Sequence, residues 1–142
     1  MTRTVVRLLV TALLVSIFPT GTSTAATWPA SVVGTWLGVA NQTDIKLAIT
    51  GQDPVGKCKA IKGTLSNVSG GGDSNIQGFY CPESGRIIFV RKDQKSNDAF
   101  QSYRGNLSDS GPVLRMGGTF AELNMPEHLG EYNFCAEMRK GH

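Results

Sequence analysis

Between positions 33 and 137 apolar side chains return at every second residue in short runs. Ile45, Leu47 and Ile49 share one parity, as do Ile87 with Phe89, Met116 with Phe120, and Tyr132 with Phe134. Successive side chains of a strand point to opposite faces, so this period describes strands that bury one side. Eight such runs are legible, at 33–39, 44–50, 57–66, 75–81, 86–92, 99–107, 113–121 and 130–137. Each ends in a polar or glycine-rich break: 40–43, Gly51-Gln52-Asp53-Pro54, 67–74 with its triple glycine, Pro82-Glu83-Ser84-Gly85, 93–98, 108–111 and 122–129. No segment of comparable length carries the 3.6-residue period of a helix.

Every break is short enough for a hairpin connection, so consecutive strands are expected to be antiparallel neighbours. A meander of this kind leaves two unprotected edges unless it curls until the first strand meets the last. Eight strands is also the size at which closure leaves room for one small ligand. The expected fold is therefore an all-β, eight-stranded antiparallel up-and-down β-barrel, with a two-sheet sandwich as the alternative. A turn centred near Gly70 would oppose residues whose numbers add to about 140, which sets Cys58 beside Cys81. Neighbouring antiparallel strands bring such a pair within bonding reach, so a Cys58–Cys81 disulfide is expected and Cys135 is left odd.

The pattern fails before position 26. Arg3 and Arg7 precede an apolar run over 8–18, which is followed by Pro19 and small residues ending in Ala25-Ala26. That order describes a signal peptide over 1–25 and a secreted domain over 26–142, since the apolar run is shorter than the ~20 residues a membrane-spanning helix needs. Export also removes two cations, so the formal charge of +3 falls to about +1. The remaining Lys and Arg residues are scattered, which argues against nucleic acid and anionic lipid as partners. With three cysteines, no Cys-x-x-Cys pair and only His128 and His142, neither a structural metal nor a cofactor is expected.

The segment Val33-Gly34-Thr35-Trp36-Leu37-Gly38 opens the first strand with Gly-x-Trp. Gly63-Thr64-Leu65, Gly78-Phe79-Tyr80, Tyr103-Arg104-Gly105, Gly118-Thr119-Phe120 and Gly130-Glu131-Tyr132-Asn133-Phe134 follow in later strands. In this order the chain resembles the calycin barrels, and among them the avidin and streptavidin family, through spacing more than identity. The resemblance implies an extracellular barrel, usually oligomeric, that binds biotin through polar groups and a cage of tryptophans. Those groups are not preserved. Leu65 stands at the family's tyrosine, Arg91 at a tryptophan, Ala99 and Gln101 at a serine and a threonine, and Tyr132 at an aspartate; Tyr103 and Phe120 replace tryptophans but stay aromatic. A site built on hydrogen bonds discriminates strongly because unmet buried polar groups are costly, so biotin is not the expected ligand.

Alternation gives an interior lined by aromatic and aliphatic groups with few polar ones, which describes a small-molecule pocket. The candidate ligand-binding residues are Trp36, Phe89, Arg91, Gln101, Tyr103, Phe120 and Tyr132. An inward guanidinium needs a carboxylate, a ligand anion or water, so Arg91 speaks for a cavity over an interior filled by side chains. No catalytic constellation is legible: His128 has no identifiable partner, and Glu122, Glu127, His128 and Glu131 read as a solvated loop before they read as a metal site. The expectation is a secreted, non-enzymatic barrel that binds a small, partly apolar molecule and forms a homo-oligomer through its outer sheet. The alternative is a protein-binding module, such as a protease inhibitor, acting through residues 26–31 and its loops.

Overall fold

A computed structural model describes residues 28–124 and 130–140; the expected signal peptide lies outside them, as do Glu127 and His128. The eight runs form strands β1 (Gly34–Ala40), β2 (Thr43–Val55), β3 (Cys58–Asn67), β4 (Ser74–Cys81), β5 (Arg86–Lys92), β6 (Ala99–Ser110), β7 (Val113–Glu122) and β8 (Glu131–Arg139). Each pairs antiparallel with its successor, and β1 pairs with β8 from Leu37↔Glu137 to Ala40↔Phe134. The sheet is thus a closed up-and-down barrel with no open edge at the seam, an architecture that fits a calycin-like fold.

Local chemistry sets the turns. Asn41 and Gln42 both adopt positive φ, 44° and 67°, between the paired residues Ala40 and Thr43. Two residues in that region make the tight hairpin whose twist matches its strands. The β3–β4 ladder places Lys59 opposite Tyr80, one step from Cys58 and Cys81, and these two cysteines form the disulfide with Cα atoms 4.1 Å apart. Cys135 is exposed and free.

Two strands outrun their sequence signals by three residues or more. Gly51 to Val55 is strand and not a break, and β6 continues to Ser110. In β2 the register shifts between Ile49 and Gly51, leaving Thr50 without an opposite residue. Beyond that bulge β2 pairs only with β3, because β1 ends at Gly34↔Ile49. A proline is tolerated where only one edge of a strand is used, and Pro54 lies there, opposite Lys59.

The core runs along the barrel axis. Trp36, Leu47, Leu65, Ile76, Tyr80, Ile87, Phe89, Tyr103, Leu107 and Met116 are almost wholly buried, and no charged side chain is fully buried among the described residues. Burying a side chain of this size contributes about 1.5–3 kcal/mol, so this axis carries the hydrophobic stabilisation of the barrel. Small residues make room for large ones: Gly78 faces Phe89, and a Cβ at position 78 would stand 2.0 Å from the Ile88 carbonyl oxygen.

Candidate functional site

The two ends of the barrel differ. At one end residues 28–32 lie back across the strands and use their backbone groups to do so. The Tyr80 hydroxyl donates to the Pro29 carbonyl (2.7 Å), Gln52 Nε2 and Lys59 Nζ both donate to the Ala30 carbonyl, and the Trp36 indole donates to the Val32 carbonyl (3.0 Å). The Val32 amide donates in turn to Gln52 Oε1, and the Trp28 ring packs on Gly85 in the β4–β5 turn. This end is closed. Burial pushes the Tyr80 hydroxyl up to about 12, so it stays protonated and can donate at any physiological pH.

The other end is formed by the β1–β2 turn, the C-terminal ends of β3, β5 and β7, and the N-terminal ends of β6 and β8. It holds a recess of about 380 Å³ lined by Ala40, Asn41, Thr43, Ile45, Asn67, Arg91, Gln101, Tyr103, Phe120, Glu122 and Tyr132. Five of the seven candidate residues meet here. Strand register arranges them in two tiers, one step of alternation apart.

The deeper tier is aromatic. Phe89, Tyr103, Phe120 and Tyr132 are successive cross-strand partners on β5, β6, β7 and β8. Their rings form a continuous stack, with centroids 4.7 Å apart for Phe89 and Tyr103, 4.9 Å for Tyr103 and Phe120, and 5.3 Å for Phe120 and Tyr132. Phe134 meets Phe89 and Tyr103 edge-on from below. Stacked and edge-to-face rings at these spacings gain roughly 0.5–1.5 kcal/mol per pair beyond burial, which makes the tier a rigid floor. Phe89 is therefore beneath the recess and not on its wall. Trp36 is bonded to the closed end. The interior is filled below the aromatic tier and open above it.

The upper tier is polar: Arg91 faces Gln101 across β5–β6, and Gln101 faces Glu122 across β6–β7. Gln101 Oε1 accepts from the Tyr103 hydroxyl (3.0 Å) and from Arg91 Nη1 (3.3 Å). The Arg91 guanidinium also lies 5.3 Å from the Phe100 ring centre, where the register shift between Arg91 and Lys92 leaves Phe100 without an opposite residue. Its Nε is buried and has no hydrogen-bond partner. Tyr103 is pushed up to about 12 by burial, against the opposing pull of Arg91, so its hydroxyl is a fixed donor to Gln101.

Sequence reading missed the recess walls supplied by Asn41, Thr43, Asn67 and Glu122, which sit in or beside segments read as breaks. Position beside a hairpin at the same end as Arg91 was the signal that could have found them. Among the described residues no cluster of three His, Cys, Asp or Glu side chains is placed to hold a metal ion. No family model, curated protein or solved structure matches the chain.

Proposed function

We propose that this protein is a secreted, non-enzymatic carrier or scavenger barrel that binds a small, partly apolar molecule in the recess at its open end, and that the ligand is not biotin. One observation carries the reading: Arg91, whose buried Nε has no hydrogen-bond partner, lines a cavity floored by stacked aromatic rings. Nearly all buried polar groups in folded proteins are paired, and an unmet one points to a missing partner. An aromatic floor under a largely polar rim, with a volume near the lower limit of small-ligand sites, suits a compact, one- or two-ring molecule that carries a polar group.

The Cys58–Cys81 disulfide is consistent with an extracellular location, and exposed Leu37, Phe79 and Ile88 on the outer sheet give a homo-oligomer a surface to use. The inhibitor alternative is less well supported, because the carbonyls of Pro29, Ala30 and Val32 are already engaged by the chain's own donors. Native mass spectrometry and thermal-shift screening of a small-molecule library, with Tyr132→Ala as the control, test the proposal. Binders that stabilise the wild type and not the variant are expected. A complete absence of binders would end it.

A further inference from the structure

The donor inventory of Arg91 narrows the chemical class of the ligand. A guanidinium presents five N–H donors in a planar fork. Arg91 uses Nη1 toward Gln101, whose single acceptor oxygen is also taken by Tyr103. The Nε–H makes no hydrogen bond within the described residues. The edge that carries it is the one that receives two oxygens side by side from an oxyanion.

The chain's own carboxylates do not fill this place. Glu122 is separated from Arg91 by the whole width of β6, since Gln101 pairs with both, and no ion pair joins them. On the other side Arg91 faces Ile76, which offers no acceptor. The cation is therefore held between an aliphatic group and an amide whose oxygen is already shared, with the Tyr103 hydroxyl close by, above a floor of rings.

The geometry points to an amphipathic oxyanion as ligand: a carboxylate or phosphate group paired with the Nε edge of Arg91, carried on a flat apolar body that covers Tyr103, Phe120 and Tyr132. This inference rests on the recess being the binding site. Glu122 on the same rim repels further negative charge beside Arg91, so the ligand carries one acidic group and not several.

Calorimetric titration of the full secreted chain with 2-naphthoate, 2-naphthyl phosphate and neutral 2-naphthamide separates the possibilities. One ring system with three head groups holds the apolar contribution constant. The better of the two acids is expected to bind about ten- to a hundred-fold tighter than the amide, as a charge-assisted paired hydrogen bond implies, and which acid wins identifies the oxyanion. In Arg91→Gln that advantage should vanish while the melting temperature holds; Arg91→Lys should restore part of it. Glu122→Gln should tighten the acids. Equal affinity of amide and acids in the wild type, an acid advantage that survives Arg91→Gln, or weaker acid binding in Glu122→Gln would each overturn the oxyanion while leaving the recess as a site. Failure of all three probes to bind would overturn both.

Discussion

Replacing Arg91 by methionine should cost the fold almost nothing, although the residue is largely enclosed. The favourable contacts are modest. Its Nη1 bond to Gln101 is 3.3 Å, at the long end for N–H···O, and such bonds to a charged donor contribute at most about 1.5–3 kcal/mol. The Phe100 contact at 5.3 Å adds about 0.5–1 kcal/mol. Against these stands the buried, unpartnered Nε, which costs about 1–3 kcal/mol. Methionine removes all three effects, keeps an apolar stem of similar reach, and leaves Gln101 still accepting from Tyr103. The net change should lie within about 1 kcal/mol of zero, or roughly 5 °C in melting temperature for a domain of this size. Urea unfolding followed by the fluorescence of Trp28 and Trp36 reads it directly, and an unchanged denaturant slope shows that the folded and unfolded states are otherwise alike. A loss above about 2 kcal/mol would show that Arg91 is a structural residue, and the case for a ligand at its free edge would lose its basis.

Other consequences concern the frame. Removing the disulfide by Cys58→Ser with Cys81→Ser should cost about 3 kcal/mol, from the chain entropy of a loop of separation 23, as measured by calorimetry of the variant beside the oxidised wild type. Gly78→Ala forces a Cβ to within 2.0 Å of a backbone oxygen on the paired strand. The loss should exceed about 3 kcal/mol and be visible as a falling soluble yield; a variant of near-native stability would contradict the described register. Tyr103 has its folded value raised from 10.0 to about 12. The unfolded chain therefore releases this proton first, and stability should be unaffected below pH 10 and decline from pH 10 to pH 12, by about 2 kcal/mol for Tyr103. Tyr103→Phe should reduce that decline and leave the share of Tyr80, which burial raises likewise, whereas an unchanged profile in the variant would assign all of it to other groups.

Much of the barrel was legible because the period of two is a local signal that burial on one face enforces. Strand count, closure and the Cys58–Cys81 pairing follow from that period and from turn lengths. The continuation of β2 through Gly51 and Pro54 was not legible, because both residues ordinarily end strands and only the one-sided pairing beyond Ile49 accommodates them. The site was legible in part. Arg91, Gln101, Tyr103, Phe120 and Tyr132 share inward parity and one end of the sheet, whereas Trp36 has inward parity at the other end. Which end stays open depends on where residues 28–32 turn back. That path is set by hydrogen bonds to Tyr80, Gln52 and Trp36, across separations of up to 51 residues, and it has no local signature.

The two ends of the barrel give the most direct test. In an amide and indole N–H correlation spectrum, a bound ligand should displace the resonances of Gln101, Phe120 and Tyr132 and leave the Trp36 indole, tied to Val32 at the closed end, where it was. Displacement centred on the Trp36 indole, or confined to the outer face around Phe79 and Ile88, would contradict a binding recess at the open end.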